Sequence, residues 1–268
     1  MAKPRTTPSS HGPRRGGTTL AACTAALAAL APLELAESWD NVGLLCGDLA
    51  ARVRRILLCI DLTEAVAGEA LALRADLVVA YHPPIFRPIA RLVRPGSGVE
   101  ATVVRLFSRG VALYATHTAL DGAPGGTNDV LASLAGLLDV QALPREAAAS
   151  PTPTVAGGAT PPAATPGIGR VGRLPGPMAL GAFARRLARR TDARATTLVG
   201  EPSAPVRRAF VVAGSGARLA LAAGPGPGDV VVTGEVGHHD ALALLRSGAS
   251  AVALAHFSSE RPVLAAVG

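Results

Sequence analysis

RRILLCIDLTEAVAGEALALRADLVVAYH, residues 54–82, decides the fold class. Its two ends, RRILLCI and DLVVAYH, are short runs of branched apolar residues bounded by polar ones, whereas EAVAGEALALRA between them has helical spacing. Downstream, EATVVRLFSRG (100–110) repeats the helical spacing and VALYATH (111–117) repeats the apolar run. Branched apolar strands separated by helices imply a largely buried sheet in an α/β arrangement, and sites in such sheets collect where the strands end.

Working outward, a helical pattern from about residue 18 leads into AESWDNVGLLCGD, which completes an N-terminal α/β lobe over 18–142. From 143 to 168 the text becomes LPREAAASPTPTVAGGATPPAATPGI, rich in Pro, Ala, Thr and Gly with little apolar periodicity, as expected of a linker. The α/β pattern then resumes over 169–268: MALGAFARRLARR as helix, RRAFVVAGSG and DVVVTGE as strands, HHDALALLRSG as helix and AVALAHF as strand. Residues 1–17, MAKPRTTPSSHGPRRGG, are basic and free of acids, and their Pro, Gly, Ser and Thr content predicts a disordered tail. A transit peptide is the functional alternative, weakened because Pro and Gly spoil an amphipathic helix.

Composition excludes several classes. A chain of 268 residues with 49% hydrophobic content can bury a large core. The apolar run AACTAALAALAPLELA is half alanine and is broken by Pro32 and Glu34, so no membrane span is expected. The formal charge of +7 is carried by arginine, and the densest basic run, ARRLARR (184–190), has no aromatic platform for bases. Without a zinc finger, homeodomain or heptad pattern, direct sequence-specific nucleic-acid binding is not expected. Cys23, Cys46 and Cys59 lie far apart, which fits small buried hydrophobes in a reducing compartment rather than a disulfide framework or zinc ribbon. A cytoplasmic location is expected, with the mitochondrion or nucleus as alternatives.

The polar residues that end the strands carry the functional signal. His82 follows LVVAY, His117 and Asp121 follow VALYA, Glu235 follows DVVVT, and His256 and Glu260 follow AVALA. A lone strand-end histidine is ordinarily a satisfied polar residue, but this set, drawn from both halves, can converge on one cleft. Imidazoles and carboxylates without thiolates suit zinc, manganese or iron, and a carboxylate can bridge two ions. Three further motifs have plainer readings. Trp39 is expected to fill a core while Asp40 and Asn41 make a turn; Gly214–Gly216 reads as a tight turn rather than a phosphate cradle; and His238 and His239 either line the cleft or satisfy backbone groups.

SWDNVGLLCGD, YHPPIFRPI, THTALDGAPGGTNDVLA, TGEVGHHDALALLRSGASAVAL and HFSSERPVL resemble, in the same order, the signature blocks of the Nif-three-like (NGG-interacting-factor-three-like) family, in its eukaryotic-type short form. The resemblance implies two related α/β lobes with mixed sheets, a site for two divalent ions at the lobe interface, and a ring-shaped homo-oligomer, typically a hexamer. It places His82, Asp121, His256 and Glu260 on metal-ligand positions, with Glu260 bridging the ions and His117 beside them. Tyr81 stands where many bacterial members have histidine, and a neutral phenol is a poor ligand, so one of the two sites is expected to be weak or empty. The implied function is metal-dependent hydrolysis in the type-two GTP cyclohydrolase I-like group. The alternative is a non-catalytic metal-binding protein that acts through transcription-regulator partners.

Overall fold

A computed structural model describes residues 17–92, 98–144 and 166–268. The tail expected over 1–17 and the interior of the linker lie outside the described residues, apart from Gly17. Among the described residues, no helix is long and apolar enough to cross a membrane.

The first half opens with β1 (Thr18–Thr19), which pairs with β3 (Arg52–Val53), and α1 (Leu20–Leu30), where the Thr19 hydroxyl caps the helix by accepting from the Ala22 N–H at 3.2 Å. The main sheet of this half has the order β2 (Gly43–Cys46), β6 (Ala112–Ala115), β5 (Leu77–Ala80), β4 (Ile56–Cys59). Strands β4, β5 and β6 are parallel, and β2 runs antiparallel beside β6. Two helices make the crossovers: α2 (Glu64–Ala72), capped by Thr63, and α3 (Gly98–Phe107). Apolar residues cover both faces of the sheet, so β5 and β6 are buried at every position.

After α4 (His117–Gly122) and α5 (Thr127–Ala135) the chain enters a second, six-stranded sheet. Its order is β7 (Leu138–Pro144), β8 (Pro166–Ala179), β10 (Pro205–Val211), β11 (Asp229–Thr233), β12 (Ser250–Ala253), β9 (Thr197–Val199). Strands β10, β11 and β12 are parallel, and β9 is antiparallel beside β12. The arrangement of the first sheet therefore recurs: three parallel strands, with an antiparallel neighbour on the last. Helices α6 (Leu180–Thr191), α7 (Ala217–Ala222) and α8 (His238–Ser247) pack around this sheet, followed by α9 (His256–Glu260) and α10 (Leu264–Val267).

The expected lobe boundary at 142 and the observed change of sheet do not coincide. Strand β7 pairs with β8, and Leu131, Ala132, Ala135 and Leu137 pack into the core of the second sheet with Val211 and Val230. Both ends of the expected linker, 143–144 and 166–168, are strand, because β7 and β8 are antiparallel neighbours with Pro144 opposite Pro166. A further apolar cluster joins the halves, with Tyr81, Ala119 and Leu120 packed on Val263.

Candidate metal centre

Both sheets end their parallel strands in the same kind of junction. After β6 the chain turns into α4 at His117 (φ +26°), and after β12 it turns into α9 through Ala255 (φ +71°). These left-handed values are uncommon for residues with a side chain, and such strain is typically held in place at functional sites. Each short helix then presents a histidine and, four residues on, a carboxylate: His117 with Asp121, and His256 with Glu260. That spacing places each pair on one helix face.

His82, at the end of β5, meets the second of these pairs. One ligand atom each from His82, His256 and Glu260 lie within 4.8 Å of one another. Glu260 Oε1 is 3.0 Å from His256 Nε2 and 3.5 Å from His82 Nε2. The His82 ring also lies 5.2 Å from that of His117.

Each of the three imidazoles is backed by a carboxylate at Nδ1, which leaves Nε2 to the cleft. His82 Nδ1 lies 2.9 Å from Asp61, His117 Nδ1 2.9 Å from Asp40, and His256 Nδ1 3.4 Å from Glu235. Asp40 also accepts from the Thr118 N–H and hydroxyl, and Glu235 accepts from the Ser215 hydroxyl. A carboxylate in this position fixes ring orientation and tautomer and makes the far nitrogen a better donor.

The charges of the cluster centre on Glu260. Burial alone would push the Glu260 carboxyl up, but hydrogen bonds from His256 and His82 outweigh it and hold the group below the usual carboxylate range. His256 is pushed up to about 9, chiefly by its hydrogen bond to Glu260, with burial opposing. Burial likewise opposes protonation of His82, but Glu260 and Asp61 raise it overall. Protons thus neutralise Glu260 where a divalent ion could do so. Glu260 Oε2 is buried with no hydrogen-bond partner among the described residues. Gly214 leaves room for the group, since a Cβ there would stand 2.6 Å from Glu260 Oε1. An orphaned carboxylate oxygen, two imidazoles and a glycine-lined wall together fit a divalent ion.

The sequence model of Duf34/NIF3 (NGG1p interacting factor 3) matches residues 18–268. The chain belongs to the Duf34/NIF3 family. Among relatives, NIF3-like protein 1 of Drosophila melanogaster is 32% identical over 252 residues, 92% of this chain and 80% of the fly protein. A Clostridium perfringens protein named GTP cyclohydrolase 1 type 2 homolog is 28% identical over 88% of this chain and 84% of its own. Among solved structures, a Bacillus cereus protein related to NIF3 superposes with a TM-score of 0.77 at 23% identity, covering 92% of this chain and 90% of that one.

Within this Duf34/NIF3 chain, the other expected site residues separate. Asp121 lies outside the close trio; its Oδ1 accepts a hydrogen bond from the Tyr81 phenol, and burial pushes its carboxyl up to about 6. His117 and Asp121 nonetheless line the cavity of about 560 Å³ that the trio faces. His238 and His239 are exposed on the first turn of α8 and do not line that cavity. Trp39 is not core: it is 58% exposed on the cavity wall, edge-on to Phe86 and His117. Nor is Asp40 merely a turn residue, since its buried carboxylate holds His117. The turn at Gly214–Gly216 is part of the same wall.

Proposed function

We propose that this chain binds divalent metal at His82, His256 and Glu260 and uses it to hydrolyse a small polar substrate held in the adjoining cavity. The observation that carries this reading is the convergence of carboxylate-backed imidazoles on a buried glutamate. A second ion would be held more weakly, by Asp121 and His117 beside Glu260 on the same cavity wall. The weakness comes from the Tyr81 phenol, which occupies Asp121 Oδ1. A bound divalent ion would supply Lewis acidity and a water acidic enough to ionise near neutral pH.

The chain's own residues supply the rest. Asp61, Asp40 and Glu235 hold the three rings in position. Asp121 faces the cavity, and while the second position is empty its carboxyl, which burial pushes up to about 6, can take up or release a proton. Trp39, Phe86, Ile168 and Leu219 wall the cavity with apolar surface, which limits water around a bound substrate. The name of the Clostridium relative makes nucleotides the first substrates to try.

The test is turnover of a nucleotide panel by zinc-, manganese- or iron-loaded protein, beside Glu260→Ala. Metal-dependent turnover lost in the variant supports the hydrolase. Tight metal binding with no turnover favours a regulatory protein acting through partners. Failure to retain any divalent ion overturns the metal-binding reading.

A further inference from the structure

The three clustered ligands come from two sheets that share no strand pairing among the described residues: His82 follows the first, His256 and Glu260 the second. No ladder fixes their spacing, so something else must. Asn128, on the first turn of α5, has no exposed surface, and its carboxamide bonds to backbone in three separate segments. Nδ2 donates to the carbonyl of Asp121 at 3.3 Å and to that of Ile168 at 2.6 Å, and Oδ1 accepts from the Ala213 N–H at 2.8 Å. Only one orientation of the amide satisfies two carbonyls and one N–H.

Two of these bonds lead to the ligands. Asp121 belongs to α4, whose first residue, His117, donates its N–H to the Tyr81 carbonyl at 3.0 Å, next to His82. Ala213 precedes Gly214, whose N–H donates to Ser259 Oγ at 2.9 Å and whose Cα faces Glu260 and His256. Arg170 braces the same corner from β8, donating to the carbonyls of Gly122 and Ala123 and pairing with Asp129. An apolar side chain could fill this volume, but it could not hold three backbone segments in register, and a fully satisfied buried polar group specifies one geometry.

We infer that Asn128 is a positioning residue that sets the distance between His82 and the His256–Glu260 pair. The inference rests on the metal-binding reading given above. Asn128→Asp keeps the shape but puts an acceptor against the Asp121 and Ile168 carbonyls; Asn128→Ala removes all three bonds. Leu131→Ala, in the same helix and equally buried, is the control for loss of stability alone.

The measurement is Zn²⁺ affinity by competition with a chromophoric chelator, beside the melting temperature of the metal-free protein. The Asn128 variants should bind Zn²⁺ about 10- to 100-fold more weakly, the range seen when support behind a ligand is removed. Leu131→Ala should melt earlier with its affinity unchanged. Parental affinity in a folded Asn128 variant overturns the inference. So does an equal loss of affinity in Leu131→Ala, or failure of both Asn128 variants to fold, either of which leaves Asn128 a purely structural role. A parent that binds no Zn²⁺ instead overturns the metal-binding reading, and this inference with it.

Discussion

Gly214→Ala is the most discriminating perturbation of the centre, because the structure separates its two effects. Gly214 has φ +64°, where a side chain costs about 1–2 kcal/mol. The added Cβ would also stand 2.6 Å from Glu260 Oε1 and 3.3 Å from His256 Nε2. A comfortable carbon–oxygen separation is about 3.3 Å, so the carboxylate must retreat by about 0.7 Å. Metal–ligand distances tolerate about 0.2 Å, so Glu260 can no longer hold its position on the ion. Gly224→Ala isolates the first effect: Gly224 has φ +73°, but a Cβ there would meet nothing within 4 Å. Both variants should therefore lose about 1–2 kcal/mol of stability in chelator. Crowding should add about 1–3 kcal/mol for Gly214→Ala alone. Only Gly214→Ala should lose Zn²⁺ affinity, by about 100-fold or more, since displacing a ligand outright should match or exceed the loss of its support. Chelator competition and thermal unfolding of the three proteins decide the matter. Equal Zn²⁺ affinity for Gly214→Ala and Gly224→Ala would refute the placement of Glu260 as a ligand held against this wall.

Four further outcomes are expected. Glu260→Ala should abolish both metal retention and the rise in melting temperature on adding Zn²⁺, whereas Glu235→Ala, which removes only the support behind His256, should weaken affinity about 10- to 100-fold; equal metal per chain in Glu260→Ala and the parent would contradict this. Without metal, His256 keeps its proton up to about pH 9 instead of 6.5, so its stabilising contribution is whole below 6.5 and lost as pH rises towards 9. The melting temperature in chelator should fall over that window, less steeply in His256→Ala, and Zn²⁺ should offset the fall by displacing the proton; a flat profile in chelator removes the argument. Tyr81→His replaces the phenol on Asp121 with a nitrogen donor and should raise metal per chain, so identical stoichiometry in both proteins would count against a weak second position. Deleting 146–163 leaves Arg145, Ala164 and Thr165 to join Pro144 and Pro166, already opposite one another, so metal content should not change; loss of metal would make that segment part of the centre.

The sequence alone is informative where chemistry follows local pattern. His82, His117 and His256 are visible because each follows an apolar strand, and the His117–Asp121 and His256–Glu260 spacings are local. The partners behind those rings are harder to see. Asp40 reaches His117 across 77 positions and Asp61 reaches His82 across 21, contacts that exist only once β2, β4, β5 and β6 lie side by side. Trp39 misleads for a related reason: a lone tryptophan suggests core, and only the packed structure shows it on a cavity wall. Strand β7 is obscure because six of its seven residues are not buried, so it lacks the continuous apolar run that marks the central strands.

The chain changes sheet between Gly122 and Thr127, directly after Asp121. A piece ending there would keep the whole first sheet with His82, and a piece starting there would keep the whole second sheet with α5, β7, His256 and Glu260. Each could hide its own sheet, yet neither would own the trio. The apolar contacts of Tyr81, Ala119 and Leu120 with Val263 would draw the two pieces together, and a divalent ion held as proposed would tighten the pair, which makes this corner a natural place to split the protein.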